Sequence, residues 1–336
     1  MKQVLKWFLK AAAAGLIALL LLCALCLLYY RLPVHIQNDT GATEYRWEGS
    51  TFYRKGTEGF AFNRTNNDGF DNLRDYEQGD DIDILLMGSS HMEAMNVPLR
   101  ENTAARLNEM FGGDKYVYNI GTSGHTLLYC IKHLDRALEH YAPGDYVIIE
   151  TRDVSFPLSE MEQTLDGTLP DIPSQTGLAV TVMKKLPYLR LFYTKHIKGA
   201  NDVDAAKALG DTETADDAAQ RAELMGELMA RVAETCAEHG VQPMIVYHPT
   251  LYVDDEGEPY TVTDGDDLAA LRELCEDEGI IFADATDGFL NAYRQYYRLP
   301  YGFANTAPGK GHMNSWGHSL FARCIYDAIE ETEAAR

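Results

Sequence analysis

Two short segments, far apart in the chain, carry the residue types that nucleophilic catalysis uses. The apolar run Ile84–Met87 leads into Gly88, Ser89 and Ser90, a pattern typical of a buried strand followed by a tight turn that presents a serine. Toward the other end of the chain, His312 comes just before a predicted helix. A serine hydroxyl is a weak nucleophile at neutral pH and needs a positioned base. The chain thus supplies a serine at a strand end and a histidine that could serve as its base, if the fold brings the two segments together.

The elements that must bring these residues together are predicted from residue 81 onward. Strands are predicted at 82–88, 116–120, 145–151, 242–248 and 280–284. Helices are predicted between and after them, at 98–111, 126–141, 214–239, 265–278, 287–297 and 315–331. This alternation is typical of an α/β fold in which helices cover both faces of a mostly parallel sheet, giving a three-layer α/β/α sandwich. Ligands of such sheets bind beyond the carboxyl ends of the strands, which is where Ser90 falls.

Further polar residues follow the predicted strands and would lie at the same edge of the sheet. Asn119, His91, His125 and His248 are therefore candidates for contacts with substrate. Three histidines at strand ends also suggest a metal site, but they lack the paired spacing of metal ligands. We expect neither a metal nor another cofactor.

Three segments in order resemble the sequence blocks of the SGNH/GDSL hydrolase family. Gly88-Ser89-Ser90 resembles the family's G-D-S block, with serine in place of aspartate. The segment 119–126 resembles the second block, and the segment 312–318 resembles the last one. The resemblance covers about residues 81–331 and implies an SGNH-hydrolase-like fold. It also implies that Ser90 is the nucleophile, that His312 is the base, and that the backbone N–H groups of Ser90 and Gly124 line the oxyanion hole.

The chain departs from the family pattern at two positions. The third block of the family supplies an asparagine to the oxyanion, and the matching position here is Arg152, which can also donate hydrogen bonds. The acid that normally stands three residues before the histidine is replaced by Gly309. Either a carboxylate comes from elsewhere in the chain, or Ser90 and His312 work as a dyad. The sequence leaves both possibilities open.

An apolar run of twenty residues, at 11–30, is long enough to cross a bilayer as a helix. Lys2, Lys6 and Lys10 precede it, whereas only Arg31 follows closely. The bias of basic residues predicts a single-pass protein with a cytoplasmic N-terminus at 1–10 and an extracytoplasmic remainder. A cleaved signal peptide is the alternative, but the run is long for one and no A-x-A site ends it.

The rest of the chain divides into an arm and a main domain. Residues 31–80 are polar and rich in glycine and aromatic residues, and they predict a juxtamembrane arm with a hairpin. Residues 81–336 form the predicted α/β domain, with an insertion at about 155–215 that is a candidate lid or acceptor groove. Four cysteines beyond the apolar run are predicted as buried free thiols: Cys130, Cys236, Cys275 and Cys324.

Charge restricts the partners of the extracytoplasmic part. Beyond Arg31 the chain holds 25 basic and 51 acidic residues, a net charge of −26 that would repel nucleic acid. The resulting hypothesis is a serine esterase, most simply an O-acetylesterase, that acts on an acylated cell-envelope or extracellular polysaccharide or on a small ester. Two alternatives stay open: an O-acyltransferase that works with a multi-spanning membrane protein as acyl donor, and a non-catalytic glycan-binding or assembly module.

Overall fold

The computed structural model describes residues 2–171, 215–262 and 265–336. Its helices are α1 Lys2–Tyr29, α2 Ser90–Glu93, α3 Thr103–Phe111, α4 Leu127–Tyr141, α5 Leu158–Leu165, α6 Ala215–His239, α7 Gly265–Asp277, α8 Thr286–Tyr296 and α9 Ser315–Ala334. Its strands are β1 Tyr30–Arg31, β2 His35–Gln37, β3 Tyr45–Trp47, β4 Phe52–Lys55, β5 Ala61–Arg64, β6 Ile84–Met87, β7 Val117–Asn119, β8 Tyr146–Thr151, β9 Gln242–Tyr247, β10 Leu251–Val253, β11 Pro259–Thr261 and β12 Ile281–Asp284. A short 3₁₀ turn, Leu99–Glu101, precedes α3.

The central sheet has five parallel strands in the order β7-β6-β8-β9-β12. This is the doubly wound order in which the chain starts near the middle and reverses direction once. Because all five strands run the same way, their carboxyl ends meet at one edge. The predicted α/β fold with a parallel sheet is confirmed.

Helices cover both faces of this sheet, and the side chains of β6 show how. Ile84 and Leu86 join a core formed with α3, α8 and α9, whereas Leu85 and Met87 join a core formed with α4, α6 and α7. Successive residues of a strand point to opposite faces, so an uninterrupted apolar run is what a strand covered on both sides requires. All four of these side chains are buried, which gives the three layers that the sequence predicts.

The N-terminal helix α1 spans 28 residues and is long and apolar enough to cross a membrane. The arm that follows it packs on the α/β domain. Trp47 Nε1 donates to the buried carboxylate of Glu93 at 2.8 Å, and the Tyr45 hydroxyl donates to the carbonyl of Ser123 at 2.6 Å. Its strands form two small antiparallel sheets, β1-β4-β5 and β2-β3.

The hairpin of the arm is β4–β5, whose turn covers 56–60. The segment 66–69, Asn-Asn-Asp-Gly, has the sequence of a tight turn, but it lies beyond β5 and does not connect these two strands. Of the predicted insertion, the structure describes α5 and its flanks, whereas 172–214 lie outside the described residues. The four cysteines beyond the apolar run are free thiols, and all but the half-buried Cys324 are buried.

Candidate active site

Ser90 is the first residue of α2, directly beyond the carboxyl end of β6. Ser89 caps this short helix, since its Oγ accepts a hydrogen bond from the backbone N–H of His91 at 3.2 Å. Ser89 and Ser90 are both half-buried at the carboxyl edge of the sheet, but the Ser89 hydroxyl is used in the turn and to bond Glu150. This is the placement that the sequence predicts for Ser90.

His312 bridges Ser90 and a carboxylate. Its Nε2 lies 2.8 Å from Ser90 Oγ, and its Nδ1 lies 2.6 Å from Glu58 Oε2. The other carboxylate oxygen of Glu58 accepts from the backbone N–H of His312 at 2.6 Å. A hydroxyl, an imidazole and a carboxylate thus stand in one line of hydrogen bonds, the arrangement that a serine triad has. Of the two possibilities left open, the structure contains the carboxylate from elsewhere.

Glu58 is the residue that sequence reasoning missed. It lies in the β4–β5 turn of the arm, 254 residues before His312, so no local spacing connects the two. Burial opposes ionisation of its carboxyl, but hydrogen bonds and attraction from His312 outweigh burial and hold the pKa of Glu58 below its usual value. Glu58 is therefore an anion at neutral pH, as an orienting acid must be.

Gly311 makes room for this contact. Its φ is +86°, and a Cβ built on it would overlap Glu58 Oε1. Only glycine combines this backbone conformation with this close approach. Gly311, directly before His312, is thus the residue near the last sequence block that reflects the contact with Glu58.

A buried pair, Glu150 and His248, supports the turn that carries Ser90. Glu150, at the end of β8, accepts from the backbone N–H of Ser89 at 2.6 Å and from Ser89 Oγ at 3.1 Å. Its Oε1 lies 2.8 Å from His248 Nε2. Burial opposes ionisation of Glu150, but the bonds from His248 and Ser89 prevail and lower its pKa. Glu150 is therefore a carboxylate that holds Ser89, one residue from the nucleophile.

Two buried groups lie within hydrogen-bond distance of the ring nitrogens of His248. The Tyr301 hydroxyl has one proton, which it donates to the carbonyl of Pro249 at 2.6 Å. Tyr301 Oη lies 2.6 Å from His248 Nδ1, while the Glu150 carboxylate faces Nε2. Both ring nitrogens of His248 are therefore held by buried partners, a hydroxyl on one side and a carboxylate on the other.

Two of the residues predicted to contact substrate have other roles. His248 has no exposed surface and both of its nitrogens are bonded, so the prediction for it is wrong. Asn119 is buried as well: its Nδ2 donates to the carbonyl of Met92 at 2.8 Å, and its Oδ1 accepts from Gly121 N–H at 2.8 Å. Asn119 ends β7 and His248 follows β9, as expected, but both side chains are buried in the protein interior. Both hold the loops that carry the site.

His91 and His125 lie at the predicted edge and are also buried. His91 packs 5.3 Å from the ring of His312, and its Nδ1 accepts from the backbone N–H of Met313 at 3.2 Å. Burial, assisted by neighbouring histidines, lowers the pKa of His91 well below its usual value, so the ring is neutral. His125 stacks between Tyr129 and His133, and burial lowers its pKa to about 3. Contact of either ring with substrate stays a prediction.

The groups predicted for the oxyanion hole lie on loops at the same edge. Gly124 adopts a φ of +92° in the loop after β7. This loop presses on α2, because a Cβ on Gly121 would lie 2.6 Å from the backbone nitrogen of Glu93. Arg152 follows β8, is about half exposed, and its Nε lies 3.8 Å from Asp153. Donation to an oxyanion by Ser90, Gly124 and Arg152 stays a prediction.

In the described part of the chain, no group of three or more His, Cys, Asp or Glu side chains is placed to hold a metal ion. The site chemistry that the described side chains offer is that of a hydroxyl, an imidazole and a carboxylate in sequence. Such a set can move one proton away from the hydroxyl as it attacks an electrophile.

Comparison with known proteins finds likeness in solved structures. No family profile and no curated protein sequence matches the chain. The psychrotrophic esterase EstA from Pseudoalteromonas sp. superposes with a TM-score of 0.40 at 13% identity, covering 75% of this chain and 98% of that one. An acetylxylan esterase from Geobacillus stearothermophilus gives 0.41 at 16%, covering 76% and 95%. A protein from Slackia heliotrinireducens described as a candidate SGNH hydrolase gives 0.37 at 13%, covering 74% and 100%.

Proposed function

We propose that this protein is a serine esterase of the SGNH/GDSL type that works through an acyl-enzyme. The observation that carries the proposal is the position of His312 between Ser90 Oγ at 2.8 Å and Glu58 at 2.6 Å. The distance to Ser90 lies within the range in which a general base can take a proton directly. A non-catalytic module has no need of this line of three groups, so the contact speaks against that alternative.

Each member of the line has one step to perform. His312 Nε2 takes the proton of Ser90 as its oxygen attacks the ester carbonyl, and the Nδ1 proton stays directed at the Glu58 carboxylate. The carbonyl oxygen gains negative charge, which the backbone N–H groups of Ser90 and Gly124 and the guanidinium of Arg152 stabilise. His312 returns the proton to the leaving alcohol, and water then releases the acyl group by the same steps in reverse order.

We propose an acetyl ester on a cell-envelope or extracellular glycan as the substrate, with the N-terminus cytoplasmic and the α/β domain outside. The support is the apolar helix α1 at the start of the chain and the lysine residues that precede it. A domain held at the outer surface of a membrane meets envelope glycans before it meets any soluble ester.

The test is hydrolysis of p-nitrophenyl esters of increasing acyl length by the full chain in detergent. We expect acetate to be the best substrate, and we expect Ser90→Ala and His312→Ala to lose turnover by roughly 10⁴- to 10⁶-fold. Glu58→Gln keeps the shape of the acid but loses its charge, and we expect a loss of about 10⁴-fold in kcat. Glu48→Gln, an exposed carboxylate of the same arm, is the matched control and should keep full activity. Turnover that survives in Ser90→Ala would overturn the proposal.

A transferase is the second candidate, and one observation favours it. The turn that carries Glu58 packs against the end of α1. With α1 in a membrane, as proposed, the site would lie beside the bilayer that would contain an acyl donor protein. Turnover would then require that protein and an acceptor hydroxyl. A stable acetyl group on Ser90 after reaction with p-nitrophenyl acetate, released by added glycan and not by water, would identify the transferase.

A further inference from the structure

The sheet β1-β4-β5 has one buried and one exposed face, and the exposed face has an unusual composition. On the buried side, Tyr53 and Ala61 have no exposed surface. On the other side, the exposed fractions of Phe52, Phe60 and Phe62 are 59%, 60% and 55%. A small antiparallel sheet usually shows polar side chains to water, so three exposed phenylalanines on one hairpin require an explanation.

Basic side chains lie among these rings. In the strand register Phe52 is opposite Arg64, and Arg54 is opposite both Phe62 and Arg31. Residues opposite each other point to the same face, so this face carries three arginines. The Arg54 guanidinium stacks 4.6 Å from the ring centre of Phe62, and the rings of Phe52 and Phe62 stack at 5.8 Å. We call this surface of Arg31, Phe52, Arg54, Phe60, Phe62 and Arg64 the aromatic-basic face.

The aromatic-basic face is continuous with the N-terminal helix. Helix α1 ends at Tyr29, and the next two residues form β1, which pairs with β4. Neighbouring strands lie about 4.8 Å apart, so β4 and β5 lie within about 10 Å of the point where the chain leaves the helix. The junction is packed, because a Cβ on Gly56 would lie 2.5 Å from the ring of Tyr29.

We propose that the aromatic-basic face lies on the outer surface of the bilayer, with its phenylalanines at the level of the headgroups and its arginines on anionic lipid phosphates. Phenylalanine is among the apolar residues that surface-bound segments bury at the boundary of headgroups and acyl chains, and basic residues beside a membrane helix attract anionic headgroups. The net charge of −26 beyond Arg31 repels the same lipids, so this basic face is the side that the domain turns toward them. The inference rests on the proposed membrane anchoring and extracytoplasmic position of the domain.

This position determines where the site lies. The β4–β5 turn carries Glu58 between two attachments: Gly56 packs on Tyr29, while Asn305 Nδ2 donates to the carbonyls of Gly56 at 2.7 Å and Gly59 at 2.9 Å. The acid is thus held between the end of the membrane helix and the loop that leads to His312. In this position the Ser90 site would meet its substrate at the membrane surface. An acyl group or a glycan that is attached to the membrane would be within its reach.

The test uses the full chain, with Trp7→Phe to remove the tryptophan of α1, in vesicles that contain phosphatidylcholine brominated near the headgroup end of its chains. Phe62→Trp places a reporter on the aromatic-basic face. Glu278→Trp places one on an exposed loop before β12, at the amino edge of the sheet. We expect strong quenching of the first reporter and little quenching of the second. The difference should grow when phosphatidylglycerol is added and shrink in the Arg31→Glu, Arg54→Glu variant.

Equal quenching of the two reporters would overturn the proposal, and so would extraction of the protein from the vesicles by alkaline carbonate. Ser90→Ala separates this inference from the esterase activity, because the variant should lose turnover and keep the quenching of Phe62→Trp. Loss of activity in all variants with quenching intact would reject the esterase and leave the membrane surface in place.

Discussion

At the scale of single residues, the pair of Glu150 and His248 is the feature with the largest expected effect on stability. Both side chains are buried, and the Glu150 carboxylate, whose pKa is lowered in part by His248, lies 2.8 Å from the His248 ring. Removing one partner of such a pair leaves an uncompensated charge and costs about 3–5 kcal/mol. We expect His248→Gln to lower the free energy of unfolding by about this amount, as measured by urea denaturation followed by tryptophan fluorescence.

A second substitution distinguishes loss of charge balance from loss of packing. In the double variant Glu150→Gln, His248→Gln, two neutral amides replace the carboxylate and the ring, so we expect it to be more stable than His248→Gln alone. A double variant that is less stable than both single variants would show that loss of packing, and not the unpaired carboxylate, causes the effect. Because Glu150 also holds Ser89, we expect both single variants to lower kcat.

At the scale of elements, the contact between the loop after β7 and α2 sets the distance from Gly124 to Ser90. A Cβ at Gly121 would lie 2.6 Å from backbone that cannot yield, so Gly121→Ala must push the two elements apart. A shift of about 1 Å in catalytic groups can cost about 10²-fold, and we expect a loss of this size in kcat with little change in KM. Steady-state kinetics on p-nitrophenyl acetate measures both.

Gly144→Ala is the matched control for this prediction. Gly144 also lies in a loop next to the sheet, but the nearest atom to a Cβ there is 3.8 Å away. Its activity should equal that of the parent protein. Equal losses in the two variants would mean that general destabilisation, and not the approach of the loop to α2, causes the effect.

The elements themselves were predictable to within a few residues, because each buries a regular pattern of apolar side chains. The four apolar residues of β6 predict a strand that is covered on both sides. Asn314 is a typical residue for the start of a helix, and its Oδ1 accepts from Trp316 N–H at 3.0 Å at the start of α9. The acid was not predictable, because Glu58 stands in a polar turn whose partner lies at the other end of the chain. The roles of His248 and Asn119 also escaped prediction, since a strand end does not tell which way a side chain points.

At the scale of the whole molecule, the arm contributes a pH-dependent term to stability. Asp71 is buried, and its carboxylate accepts a hydrogen bond from Tyr53. Burial raises the pKa of Asp71 from 3.8 to about 7, although the bond from Tyr53 opposes the shift. The folded protein therefore holds this proton more tightly than the unfolded chain. The resulting stabilisation is complete below pH 3.8 and is lost as the pH rises toward about 7.

Asp71→Asn removes this term. As the pH rises from about 4 to 7, we expect the free energy of unfolding of the parent protein to fall relative to that of Asp71→Asn. Urea denaturation across this window measures the difference. Asp39→Asn, an arm carboxylate that is 84% exposed, should show no such trend. A parallel trend in both variants would contradict the assignment to Asp71.

Because Glu58 lies in the arm, the α/β domain by itself does not contain the complete candidate site. A fragment that starts at residue 81 would contain every sequence block of the site and all five strands of the central sheet, but it would lack the carboxylate that bonds His312. Proteolysis between the arm and β6 would have the same effect if the arm then dissociated. The proposed activity thus depends on the arm as well as on the α/β domain, and we expect a fragment without residues 31–80 to be inactive even if it keeps Ser90 and His312.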